Sequence, residues 1–124
     1  MGKHILILGG GFGGLAAADT LRKGLSSEHK VTLVDRKPLF LMGLTKLWIL
    51  NGTRRVGESP GNRTLLAKRG IDFIEGEVTA ISVANREVLV GKQRLTYDYL
   101  IIALGADYAI GSTPGFATHA KNSG

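Results

Sequence analysis

The residues whose types and spacing best suit chemistry stand near the start, in Leu8-Gly9-Gly10-Gly11-Phe12-Gly13-Gly14. Gly9, Gly11 and Gly14 satisfy the spacing G-x-G-x-x-G, which suits the binding of a diphosphate. Gly9 permits a sharp strand-to-helix turn. Gly11 leaves no side chain where a diphosphate must approach the backbone, and Gly14, with Ala17 and Ala18, lets a helix pack closely on a sheet. The N–H groups at the helix start, those of Phe12 and Gly13 among them, then face an anion along the helix dipole. In a chain with 18 glycines the spacing alone is weak evidence, and its context decides.

That context is a buried strand before the glycines, an amphipathic helix after them, and an acidic residue ending the next strand. Asp35 lies 21 residues after Gly14, where a carboxylate can accept hydrogen bonds from both ribose hydroxyls. It would repel a 2′-phosphate, which favours FAD or NAD over NADP, while Arg36 beside it weakens that exclusion. The plainer alternative is a glycine-rich turn with an ordinary strand-end aspartate.

The elements that must position these residues follow from periodicity. Ile5–Leu8 is a short apolar run of the kind buried on both faces of a sheet. Leu15, Ala18, Leu21 and Leu25 share a helical face, and the helix nears its end at Gly24. Val31–Val34 is a second strand ending at Asp35, which completes a βαβ unit. Leu44, Leu47 and Trp48 suggest a short helix, and Arg63–Arg69 another that ends at Gly70. Ile71–Ile74, Val78–Val83, Glu87–Val90 and Arg94–Thr96 read as strands, and their alternation and short turns suggest a small antiparallel meander. Tyr99–Leu104 is a further apolar strand, halted by Gly105.

Composition narrows the class. With 124 residues, 44% hydrophobic and 21% charged, the chain has the profile of one globular domain. The absence of cysteine removes disulfides, thiolate metal sites and redox thiols from this segment. His4, His29 and His119 are far apart, so no metal site is expected. The net charge of +6 is spread in doublets such as Arg22-Lys23 and Arg54-Arg55, without interleaved aromatic residues. A solvated face is expected, and no nucleic-acid partner. Without a signal-peptide pattern or a membrane-spanning run, a cytoplasmic location is expected.

The sequence resembles the pyridine nucleotide–disulfide oxidoreductases, flavoproteins with two dinucleotide-binding domains. Among them it looks most like sulfide:quinone oxidoreductases, then type II NADH dehydrogenases. The resemblance runs from His4 to about Gly115. It rests on the glycine turn with Asp35, on Pro38-Leu39-Phe40, on Lys68-Arg69-Gly70-Ile71-Asp72-Phe73-Ile74-Glu75-Gly76-Glu77-Val78, and on Tyr97-Asp98-Tyr99-Leu100-Ile101-Ile102-Ala103-Leu104-Gly105-Ala106.

The resemblance implies an α/β fold: a Rossmann-like parallel sheet in which a short antiparallel meander, residues 77–96, replaces a crossover helix. The first strand would be central, flanked by the Val31 and Tyr99 strands. Residues 1–105 would bind the ADP moiety of FAD, and residues 106–124 would connect to parts beyond. Gly9, Gly11, Phe12, Gly13 and Gly14 would hold the pyrophosphate and Asp35 the ribose. Arg36 would lie along the adenine, Val78 would meet it through its backbone, and Ala103, Leu104 and Gly105 would line the cleft.

The sequence also departs from that family. Disulfide reductases carry two cysteines soon after the second strand, and Phe40–Lys46 contains none. The second dinucleotide-binding domain and the segment covering the flavin ring are missing, and no catalytic residue is identified. The expectation is therefore an N-terminal FAD-binding portion of a flavin-dependent oxidoreductase, inactive in isolation. Its parent would exchange electrons with quinone, NADH or sulfide, form a homo-oligomer, and leave room for peripheral contact with the inner face of a membrane. The alternatives are a stand-alone, non-catalytic nucleotide-binding module and an NAD domain of another dehydrogenase. The meander and Tyr99–Ala106 count against the latter.

Overall fold

The computed structural model describes residues 1–40, 43–55 and 62–119. Four parallel strands form the main sheet: β1 (His4–Leu8), β2 (Lys30–Asp35), β3 (Asp72–Glu75) and β7 (Tyr99–Ile102), in the order β3-β2-β1-β7. Helix α1 (Phe12–Gly24) joins β1 to β2, and α2 (Gly43–Leu50) and a 3₁₀ helix (Arg63–Arg69) lie between β2 and β3. A separate antiparallel sheet, β4 (Val78–Ser82), β5 (Glu87–Val90) and β6 (Gln93–Thr96), carries the chain from β3 to β7.

The central strands are apolar on consecutive residues because both sheet faces are covered. Ile5, Ile7, Val31 and Leu33 pack with Ala18 of α1 and with Ile71. The alternate residues Leu6, Leu8 and Val34 pack with Val88 and Val90 of the meander. Period-2 alternation thus assigns one set of side chains to the helix and the other to the second sheet. Thr32 is polar yet buried, and its hydroxyl meets His4 Nε2 at 2.8 Å. The other ring nitrogen, Nδ1, lies 2.7 Å from the Thr96 carbonyl, which can only accept. A neutral ring therefore donates from Nδ1 and accepts the Thr32 hydroxyl at Nε2, joining β2 to the end of the meander.

The central placement of the first strand and the meander crossover are as the sequence implies. Ile71–Ile74, whose alternation alone does not separate it from the antiparallel strands, lies outside the meander, as the bounds 77–96 imply. Its register, Leu33 to Phe73 and Val34 to Ile74, makes β3 the parallel edge strand beside β2. The reason is geometric: Gly70, at φ 77°, ends the 3₁₀ helix in a left-handed turn and sends the chain back along β2. The terminal stretch is also less plain than a connection, with a 3₁₀ turn at Ile110–Ser112 and a short α3 (Phe116–His119). Residues 120–124 of that stretch, and residues 41–42 and 56–61 of the stretch after Arg36, lie outside the described residues. Among the described residues, no helix is long and apolar enough to cross a membrane.

The basic doublets are not all solvated. Arg22 donates to the carbonyls of His29, Leu25 and Ser26 at 2.7, 3.1 and 2.5 Å, closing the C-terminal end of α1.

Asp98 fastens the start of β1, its Oδ2 accepting the His4 N–H at 2.8 Å. That bond, with Lys3 adding Coulombic support, holds the carboxyl below its ordinary value. A depressed native pKa contributes stability above about pH 4, lost as the pH falls through the native value. Asp98→Asn is therefore expected to flatten the acid limb of a Tm-against-pH curve. Parallel curves for the two proteins below about pH 4 would show that the carboxylate makes no net contribution.

Candidate functional site

The carboxyl ends of the parallel strands and the start of α1 meet at the glycine turn. Gly9 has φ 99°, a conformation that side chains rarely adopt, and a Cβ there would overlap the Ala103 carbonyl. A Cβ on Gly14 would overlap the Gly9 carbonyl and lie 3.4 Å from Leu33 Cδ1. Both glycines are thus required by close approach of backbone to backbone. Gly11 differs, because among the described residues, its chain neighbours aside, no atom lies within 4 Å of a Cβ placed there.

Gly11 is also the N-cap of α1, and its carbonyl accepts the Leu15 N–H at 3.0 Å. The N–H groups ahead of Leu15 are those that an α-helix start leaves without an intrahelical acceptor. No acidic residue stands in the first turn to neutralise the positive end of the dipole. The expected contact residues Phe12 and Gly13 are exposed there, and Gly14 is buried beneath. The Phe12 ring stacks edge-on against Phe40, with centroids 5.1 Å apart.

Beside the turn lies a cleft of about 370 Å³. Gly9, Asp35, Arg36, Val78, Leu104 and Gly105 line it, with Val34, Glu77 and Asp107 among its other walls. The structure therefore brings six of the expected site residues to one cavity. Ala103 does not line it. It sits behind the turn, its N–H donating to the Leu8 carbonyl at 2.7 Å and its own carbonyl crowding Gly9.

Asp35 does more than face the cleft. Its Oδ2 accepts the Gly10 N–H at 2.7 Å, and its Oδ1 accepts the Lys37 N–H at 3.0 Å. Its side chain is one-fifth exposed, with the Arg63 guanidinium 3.5 Å from Oδ1. Arg63 escaped sequence reasoning. It is 6% exposed, and its Nε and Nη2 donate to the Gly10 carbonyl at 2.8 and 2.6 Å. Its Nη1 donates to the carbonyls of Lys37 and Leu39 at 2.6 and 2.7 Å. Burial pushes its pKa down and the Asp35 charge opposes that. Among the described residues no group of three or more His, Cys, Asp or Glu could hold a metal.

The model of the pyridine nucleotide-disulphide oxidoreductases matches residues 3–123. The chain belongs to this family. It is 34% identical over 116 residues to the sulfide-quinone reductase of Aquifex aeolicus, covering 90% of this chain and 26% of that protein. It is 35% identical over 121 residues to a demethylphylloquinone reductase of Synechocystis, covering 90% of this chain and 30% of the relative. The crystal structure of the Aquifex aeolicus sulfide:quinone oxidoreductase superimposes with TM-score 0.79 at 31% identity, over 88% of this chain and 26% of that one. The chain thus spans between about a quarter and a third of the length of these relatives. Members of the pyridine nucleotide-disulphide oxidoreductase family are flavoproteins, and the open backbone at Gly11 is compatible with a cofactor of that kind.

Asp35→Ala would remove a charged acceptor from the cleft and release the Gly10 N–H. The expected loss is about 1.5–3 kcal/mol of ADP affinity, with reduced discrimination against a 2′-phosphate. Titration calorimetry with ADP and with its 2′-phosphorylated analogue measures both. An unchanged preference would reduce Asp35 to a brace of the turn.

Proposed function

We propose that this chain is the FAD-binding N-terminal portion of a flavin-dependent oxidoreductase and holds the ADP half of that cofactor. The observation that carries the proposal is Gly11. Gly9 and Gly14 are explained by the protein's own close contacts, but no atom of the described residues requires the absence of a side chain at Gly11. It stands at the start of an unneutralised helix dipole, beside a cleft that contains a carboxylate. A diphosphate would suit that open backbone, and ribose hydroxyls would suit the free lone pairs of Asp35.

In this proposal Gly11, Phe12, Gly13 and Gly14 present backbone N–H groups to the pyrophosphate while Gly9 shapes the turn. Arg36 and Val78 flank the adenine, and Ala103, Leu104 and Gly105 form the wall next to β7. Residues 1–105 are the binding unit, and residues 106–124 lead toward the rest of the enzyme. FAD, when bound, supplies the capacity to take up a hydride or an electron pair. The chain's own residues bind and orient its ADP half. The names of the sulfide-quinone reductase, and of a type II NADH:quinone oxidoreductase of Mycobacterium tuberculosis to which the chain is 30% identical over 126 residues, support quinone, sulfide or NADH as the parent's electron donors and acceptors.

The isolated chain should bind without turning over, because positioning of both reactants is what a site of this size gives up. Strand β7 stands at the sheet edge with Tyr99 and Ile102 exposed at 62% and 59%, an edge that invites pairing with a second copy.

Gly11→Val places a branched side chain in the open space and is expected to abolish calorimetric binding of ADP and FAD while circular dichroism is unchanged. Equal affinity in the variant would overturn the nucleotide assignment. For the 124-residue chain itself, steady-state assays with NADH, sulfide and a soluble quinone are expected to match free FAD. Light scattering on the same sample is expected to give a dimer or larger. Robust turnover with retained flavin would show that the catalytic parts are already present.

A further inference from the structure

Arg63 is separated from Gly10 by 53 residues, yet its guanidinium grips the Gly10 carbonyl with two donors, Nε and Nη2. The other end of the same residue is held as well, since the Gly10 N–H donates to Asp35. A Cβ on Gly10 would run into the Arg63 side chain, with Cδ 2.9 Å away, so a larger residue there would have to displace the guanidinium. Gly10 falls at a variable position of the G-x-G-x-x-G spacing, so the motif gives no reason for a glycine there.

The Gly10 carbonyl and the Gly11 N–H belong to one planar, trans peptide unit, and so point in opposite directions. A guanidinium that fixes the carbonyl from the protein side therefore fixes the N–H toward the open side. Next to that N–H, the position that a Cβ on Gly11 would take has no atom of the described residues within 4 Å, chain neighbours aside. Nη1 extends the same hold to the carbonyls of Lys37 and Leu39, in the loop after the acidic strand end. A lysine, with a single ammonium, cannot reproduce a planar fork on three carbonyls.

We propose that Arg63 is a positioning residue of the nucleotide site, presetting the Gly10–Gly11 peptide so that the Gly11 N–H is aimed at the diphosphate. It does so without touching the ligand. The proposal rests on the nucleotide reading above and adds to it the residue that orients the donor.

The test uses the 124-residue chain with ADP as the probe. Kd is measured by calorimetry at a temperature where circular dichroism shows each protein folded, so that global stability does not enter. Arg63→Met, Arg63→Lys and Gly10→Ala are each expected to weaken ADP binding by at least about tenfold, as loss of one hydrogen bond to a charged group would. In ligand-free samples the ¹⁵N–¹H signal of Gly11 should move in all three variants while those of Ile5–Leu8 stay in place. A folded Arg63→Met that binds ADP within twofold of the parent, or leaves the Gly11 signal unmoved, overturns the proposal while the nucleotide reading stands. Should Arg63→Met fail to fold, Arg63→Lys and Gly10→Ala decide on the same criteria. Absence of ADP binding by the parent chain would instead overturn the nucleotide reading, with the Gly11 signal still reporting whether Arg63 sets that peptide.

Discussion

Two stretches of backbone meet with no side chain between them, and the rest of the chain is arranged around that meeting. Gly14 in the first turn of α1 lies against the carbonyl of Gly9, and Gly9 against that of Ala103. Contact this close brings the start of the helix directly over the end of β1. One turn later Ala18, fully buried, settles on the sheet with Ile5, Ile7, Val31 and Leu33. The opposite face of β1 is closed by Val88 and Val90, so the central strand loses water on both sides. Each large aliphatic chain buried there contributes about 1.5–3 kcal/mol, which makes the sheet a rigid base for the turn above it.

Charge is distributed unevenly over that base. The positive end of α1 has no acidic residue in its first turn, and Asp35 lies across the turn from it. Arg63 enters between them from the 3₁₀ helix. Burying a guanidinium costs several kcal/mol, a cost that carbonyl partners and a carboxylate roughly offset and seldom exceed. Net stabilisation is therefore a poor account of Arg63. Its geometry is a better one, since the four recorded side-chain bonds reach three carbonyls in two segments that flank the cleft.

Much of this was legible in the sequence, and what was not has a physical reason. The runs Ile5–Leu8 and Val31–Val34 announced buried strands because four consecutive apolar residues have no solvent-facing side. Gly9, Gly11 and Gly14 announced the turn by spacing, and Asp35 announced itself by ending the next strand. From local pattern alone Ile71–Ile74 reads alike in parallel and antiparallel sheets, and the resemblance, which begins the meander at residue 77, is what set it apart from those strands. Only the left-handed turn at Gly70 directs it beside β2. Arg63 was invisible because one arginine among 16 basic residues reads as surface charge. Its burial depends on partners 24 to 53 positions away, beyond any local pattern. The nearest local hint was Gly10, a glycine at a position where the motif needs none.

In the nucleotide proposal, Asp35 would join the shape of the turn to the selection of what binds there. A carboxylate offers about four lone-pair sites, and two are taken by the N–H groups of Gly10 and Lys37. Accepting ribose hydroxyls at the others would leave the turn's own bonds in place, so recognition would need no rearrangement of the loop. A 2′-phosphate would instead bring a second anion against a carboxylate that cannot turn away without releasing Gly10. Arg63, the cation paired with Asp35, is already committed to the carbonyls of Gly10, Lys37 and Leu39. Compensation would fall to the exposed Arg36 on the rim of the cleft, where water and salt weaken a charge pair. In the nucleotide proposal, the group that fixes the glycine turn would thereby be the same group that disfavours a phosphorylated ribose.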